Sequence, residues 1–215
     1  MRYLDRVDTE AAEVGSINTV TNDRETLTGF NTDGTGAMNA IKEVGASVDG
    51  STVLLLGAGG AARSIAYALA NRGCSIKLAN RTASVAKRFS KALDAKFGVK
   101  TESMSLSKKL LSQAVTQADL ILNASSMGMN SESDPPIAEK WIRADQWVFD
   151  IVYRPVQTKL LRDAKSAGAR TIGGVDMLLH QGGCSFKLWT GKKAPLREMR
   201  RAIAEKLMLQ NATRR

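Results

Sequence analysis

From residue 50 onward, short runs of β-branched and aliphatic residues alternate with longer segments whose apolar positions recur at helical spacing. The runs Thr52–Leu56, Ser75–Ala79, Val99–Glu102, Asp119–Asn123, Val148–Val152 and Ala169–Ile172 predict strands. Between them, Gly60–Asn71, Ala83–Ala95, Lys108–Gln117 and Thr158–Ser166 each line one 3.6-residue face with apolar side chains and predict helices. Strands separated by helices cannot pair as hairpins, so this order predicts a parallel sheet with helices on both faces. Earlier in the chain the texture changes. Val14–Val20 and Leu27–Phe30 predict two strands around the turn residues Thr21–Arg24, and a helix is expected over Gly34–Val44. One hairpin buries too little apolar surface to stand alone, so residues 1–30 must dock on something else. After Gly173 the pattern is helical, to about Trp189 and again from Pro195, at a first helical position, to Gln210.

The chain has 215 residues, 43% of them hydrophobic, which suffices for a sizeable core without disulfide or metal staples. The longest apolar runs, such as Val53–Leu56, fall far short of the ~20 residues that cross a bilayer, and Met1–Asp5 has no apolar export core. Neither membrane nor export is expected. Cys74 and Cys184 stand far apart, with no C-x-x-C or histidine cluster beside them, which argues against a metal site and fits a reducing cytoplasm. The formal charge of +10 is uneven: residues 75–110 and 187–215 each hold nine Lys/Arg against two Asp/Glu. These positives follow helical spacing and lack interleaved aromatics. A phosphate-rich small molecule therefore suits the first cluster better than nucleic acid, which is not expected as a partner.

The sharpest signal is Gly57-Ala58-Gly59-Gly60-Ala61-Ala62, a G-x-G-x-x-A turn between a buried strand and a helix. Gly57 permits the tight turn, Gly59 lets backbone approach a pyrophosphate, and Ala62 allows close packing of helix on strand. The helix start then aims amide donors at the anion. At the end of the second strand an NAD-preferring site places a carboxylate for the ribose 2′-hydroxyl. This chain has Asn80-Arg81-Thr82, where a guanidinium can pair with a 2′-phosphate, so NADP is favoured. The plain alternative for Arg81 is an exposed residue beginning a helix.

Five ordered motifs make the chain similar to the shikimate dehydrogenase family, with matches from Tyr3-Leu4-Asp5 to Gly191. They are Gly15-Ser16-Ile17-Asn18-Thr19, Gly29-Phe30-Asn31-Thr32-Asp33-Gly34, Asn123-Ala124-Ser125-Ser126-Met127-Gly128-Met129, Asp150-Ile151-Val152-Tyr153-Arg154-Pro155 and Gly173-Gly174-Val175-Asp176-Met177-Leu178-Leu179-His180-Gln181. The resemblance implies NADP-dependent interconversion of shikimate and 3-dehydroshikimate in aromatic amino acid biosynthesis. It also implies a Rossmann-type doubly wound α/β fold with a remnant of a second substrate-binding α/β domain and C-terminal covering helices. By resemblance Asn18, Asp33, Tyr153 and Gln181 contact the substrate, and Asp33 has a catalytic role. Gly57, Ala58, Gly59, Gly60, Ala61, Asn80, Arg81 and Thr82 form the NADP loops, and Ile151, Gly174 and Met177 surround the nicotinamide. Each has a plainer alternative: Asp33 as a cap of the following helix, Tyr153 as a strand-end residue, Gln181 as a mid-helix polar group. His180 is given no chemical role.

The expected organisation is a remnant of the substrate domain over residues 1–32, an NADP-binding domain over 33–175, and C-terminal helices over 176–215 that pack back toward the substrate domain. A homodimer is compatible with the family. Two features depart from it. Family members begin with a substrate-domain segment that carries a Ser-x-Ser and an Asn-Val-Thr-x-Pro-x-Lys stretch, whose lysine works with the aspartate matched by Asp33, and neither stands ahead of the first matched motif, Tyr3-Leu4-Asp5, here. The chain thus resembles a member without its N-terminal portion, and these residues alone are expected to turn shikimate over slowly. No remaining lysine, Lys42 included, obviously replaces the missing base. Val85 stands where a second basic residue often meets the 2′-phosphate, with Lys87 or Arg88 as candidates to compensate. The competing readings are a non-catalytic NADP-binding module and a quinate dehydrogenase.

Overall fold

A computed structural model describes residues 3–130 and 134–212; residues 1–2 and 213–215, at the extremities of the expected first and last parts, lie outside it. The chain opens with β1 (Arg6–Val7), α1 (Thr9–Val14), β2 (Thr19–Asp23), β3 (Thr26–Phe30) and α2 (Asp33–Glu43). These strands form a small sheet in the order β1-β3-β2, with β1 parallel and β2 antiparallel to β3. Residues 14–18 are not strand, as their apolar content had suggested. Asp8 accepts from the Glu10 N–H at the start of α1, and Gly15, in a left-handed conformation at φ 67°, ends it. The hairpin turn is also displaced from Thr21–Arg24 to Arg24-Glu25. Both residues adopt positive φ (47° and 70°), as a two-residue turn between right-twisted strands requires.

The larger part alternates β4 (Thr52–Leu56), α3 (Gly60–Ala70), β5 (Ser75–Ala79), α4 (Ala83–Phe97), β6 (Thr101–Met104), α5 (Lys108–Gln117), β7 (Leu120–Asn123), β8 (Trp147–Asp150), α6 (Lys159–Ser166) and β9 (Arg170–Ile172). The helices α7 (Gly174–Thr190) and α8 (Leu196–Ala212) follow. Six strands pair in parallel in the order β6-β5-β4-β7-β8-β9. The expected third strand begins two residues later, at Thr101. The Pro195 carbonyl accepts the Met199 N–H, which puts the proline one place before the first helical position.

Alternation within the strands builds two cores. Val53 and Leu55 join Ile65, Leu69, Phe89 and Phe149 on one face, while Leu54 and Leu56 join Leu111, Val115, Leu160 and Leu161 on the other. Burial on both faces explains why these strands read as continuous apolar runs. The connection reverses direction between β4 and β7, and crevices open at such switch points beyond the carboxyl ends of the strands.

Candidate active site

The turn after β4 lies at this switch point. Gly57 has φ 108°, and a Cβ there would come 2.7 Å from the Ala124 carbonyl oxygen in the loop after β7. Only glycine satisfies both conditions. A Cβ on Gly59 would meet nothing within 4 Å, and no side chain caps α3. Open space in front of uncapped amides fits a pyrophosphate. Asn80, at the end of β5, donates from its side chain to the Thr82 carbonyl at 3.1 Å and shapes the next loop. Arg81 on that loop is exposed, with no hydrogen-bond or ion-pair partner among the described residues. Val85 is half-buried, whereas Lys87 and Arg88 are exposed on the same helix.

Asn18, Asp33 and Gln181 are drawn together from the start of β2, the first residue of α2 and the middle of α7. Asn18 Nδ2 donates to Asp33 Oδ1 at 2.8 Å and to Gln181 Oε1 at 3.1 Å. Its Oδ1 accepts from Thr19 Oγ1, the Thr32 N–H and Thr32 Oγ1 at 2.9, 3.0 and 3.1 Å. The Asn18 amide is thus fully engaged by the protein and fixes both neighbours. Asp33 Oδ2 and Gln181 Nε2 have no partner among the described residues. Asp33 does not cap α2: Thr32 precedes the helix, and the Asp33 N–H is held instead by Asn31 Oδ1 at 2.9 Å. Partial burial raises the Asp33 carboxyl above its usual range, and the Asn18 hydrogen bond partly opposes this.

Sequence reasoning missed the ring of hydroxyls beneath this cluster. Thr19 Oγ1 lies 2.7 Å from Ser185 Oγ and Thr32 Oγ1 lies 3.3 Å from it, while Ser185 Oγ also donates to the Gln181 carbonyl. The available signal was the four-residue spacing of Gln181 and Ser185, which puts them on one helix face.

Tyr153 stands on the loop after β8, exposed and without a hydrogen bond to the cluster. Its ring faces the Arg154 guanidinium at 6.0 Å. Ile151 packs against the buried group containing Met177, and a Cβ on Gly174 would overlap the Ile151 and Val152 carbonyls. These three residues are therefore contiguous. Next to Ile151 stands Asp150, another residue not singled out by sequence, which fixes the start of this loop. Its fully buried carboxylate accepts from Asn123 Nδ2 (2.9 Å), the Val152 N–H (3.1 Å) and Thr158 Oγ1 (2.7 Å). Burial raises the Asp150 carboxyl, the nearby Asp134 charge adds to this and the three hydrogen bonds oppose it; among the described residues no cation pairs with it. His180 pairs with Glu43 at 2.9 Å, away from the cluster, and Lys42 points into solvent from the last turn of α2. Among the described residues no group of His, Cys, Asp and Glu could hold a metal, and no helix is long and apolar enough to cross a membrane.

Strand order, switch-point turn and the polar cluster beside it define a dinucleotide-dependent oxidoreductase of the doubly wound α/β class. Residues 39–151 match the family model described as shikimate/quinate 5-dehydrogenase, and residues 174–204 match the shikimate 5′-dehydrogenase C-terminal domain. A relative from Moorella thermoacetica, named shikimate dehydrogenase (NADP(+)), is 43% identical over 205 residues, covering 94% of this chain and 70% of the relative. The chain belongs to the shikimate dehydrogenase family. Two solved structures are also similar. The Thermus thermophilus shikimate 5-dehydrogenase in complex with NADP(H) and shikimate has a TM-score of 0.81 at 34% identity, covering 95% of this chain and 73% of its own. The quinate dehydrogenase of Corynebacterium glutamicum in complex with NAD has a TM-score of 0.85 at 30% identity, with the same coverage.

Proposed function

We propose that the chain is an NADP-dependent oxidoreductase that interconverts shikimate and 3-dehydroshikimate. The observation that carries this reading is the convergence of Asn18, Asp33 and Gln181 into one hydrogen-bonded cluster. Gly57–Ala61 and Asn80–Thr82 hold NADP, with Arg81 on the 2′-phosphate and Ile151, Gly174 and Met177 about the nicotinamide. When bound, NADP supplies the hydride acceptor or donor. Asp33 Oδ2 accepts a hydrogen bond from a substrate hydroxyl, Gln181 Nε2 donates to a second oxygen, and Asn18 keeps both side chains aimed. Tyr153 contributes a further contact from its loop. A carboxyl raised by burial is suited to holding a proton near the reacting alcohol.

The division into a substrate part (1–32), a nucleotide part (33–175) and C-terminal helices (176–215) belongs to this reading. So does a cytoplasmic location, which the two free cysteines favour. The test is NADPH formation from shikimate, run with quinate as the competing substrate and with Asp33→Asn. Asp33→Asn is expected to lower turnover by about 10²- to 10⁴-fold while NADPH affinity stays unchanged. Preference for quinate, or NADPH binding without any turnover, would favour one of the competing readings.

A further inference from the structure

The turn that holds the dinucleotide and the cluster that meets the substrate are joined by α3 itself. Arg63 Nη2 donates to the Gly15 carbonyl at 2.9 Å, at the end of α1 and three residues before Asn18. One turn further along α3, the Tyr67 hydroxyl donates to the Glu13 carbonyl at 3.1 Å, so α1 is gripped at two levels. The next residue reaches in another direction. Ser64, with no exposed surface, accepts the Gly34 N–H on Oγ at 2.8 Å, directly after Asp33. There is no slack at this junction, since a Cβ on Gly34 would lie 2.7 Å from the Ser64 carbonyl oxygen. A third contact closes the set: a Cβ on Gly60, in the cradle itself, would overlap Ser16 Oγ.

We infer that Arg63 and Ser64 are positioning residues that transmit occupancy of the dinucleotide turn to Asn18 and Asp33. The inference rests on the dinucleotide reading of that turn. A bound pyrophosphate restrains Gly59–Ala62, the four residues immediately before the pair, and ordering one end of a rigid helix restricts what its neighbours hold. Arg63 Nε supports a role in placement rather than in bonding alone. It is buried and finds no acceptor among the described residues, a cost retained while another donor of the same guanidinium holds Gly15. Both sites are thereby coupled through one element that both contact, the physical requirement for linkage.

The test is amide hydrogen exchange with and without NADPH, on the unaltered chain and on Ser64→Ala and Arg63→Met, after nucleotide affinity has been titrated for each. In the unaltered chain NADPH should slow exchange at 57–61 and, by about fivefold or more, at 16–18 and 34–36. Ser64→Ala should lose the effect at 34–36 and Arg63→Met that at 16–18, each retaining NADPH affinity within about threefold and protection at 57–61. A merely structural role would raise exchange equally in free and bound forms, leaving the ratio intact and overturning the inference. Protection confined to 57–61 in the unaltered chain would overturn it too. Failure of that chain to bind NADPH would instead remove the cofactor reading, and the coupling with it.

Discussion

Arg81 stands exposed between β5 and α4 with no partner among the described residues, and its fork of donors suits a phosphate better than a hydroxyl. Arg81→Ala is expected to weaken NADPH by roughly 10- to 150-fold, equivalent to about 1.5–3 kcal/mol, with exposure pulling toward the low end, while NADH is unaffected. Fluorescence titration of both nucleotides measures this; equal losses for the two would remove Arg81 from 2′-phosphate recognition. Asp150 makes a different kind of prediction. Its folded-state pKa is raised, so its favourable contribution is present below the ordinary Asp value of 3.8 and is lost as pH rises through the raised value. Asn cannot titrate. Thermal midpoints taken from about pH 4 to pH 7 should therefore show the unaltered protein losing ground to Asp150→Asn as pH rises. The opposite trend would require a cation near Asp150. Arg81, Asn18, Asp33 and Gln181 were legible in the sequence because their motifs are linear. The bonding of Thr19, Thr32 and Asp150, which sit in the same motifs, and of Ser185, which does not, was not legible, because each has partners that only folding brings near, such as Ser185 beside Thr19.

Helices α2 and α7 approach until their backbones nearly touch. A Cβ on Gly36 would lie 2.8 Å from the Gln181 backbone nitrogen. Gly36→Ala must push the helices apart at the point where Gln181 meets Asn18, at an expected cost of about 1–3 kcal/mol in urea unfolding. It should also raise KM for shikimate more than it weakens NADPH, since the shift falls directly on Gln181 and reaches the dinucleotide turn only through Gly34 and Ser64. Unchanged KM together with lost stability would show that the Gln181 contact tolerates the shift. At this scale the parallel sheet was readable, because burial on both faces forces continuous apolar runs separated by helical ones. The first thirty residues were misread for physical reasons. Helix α1 spans only six residues, less than two turns, so periodicity barely registers, although Asp8 and Gly15 mark its ends. The hairpin turn uses Arg24-Glu25 in positive φ, where Asn-Gly would have announced it.

Across the whole molecule every strand of the large sheet points the same way, and four loops of the candidate site leave it at the carboxyl ends of its strands. The Gly57–Ala61 turn follows β4, the Asn80–Thr82 loop follows β5, the Asn123 loop follows β7 and the Tyr153 loop follows β8. The loops that lead into the strands do none of this work. Gly98, for example, ends α4 at φ 64°, exposed, with nothing within 4 Å of a Cβ position. Inserting about ten Gly/Ser residues between Gly98 and Val99 should cost under about 1 kcal/mol and leave NADPH affinity intact, because loop closure grows only slowly with length. The same insertion after Gly128, at the other edge, should abolish turnover; tolerance there would show that the Asn123 loop is dispensable. One end of this molecule is thus a handle. A tether, a reporter or an additional domain can be attached beside Gly98 without the chemistry at the far edge registering it, so a chain of this architecture can be lengthened or immobilised without having to be redesigned.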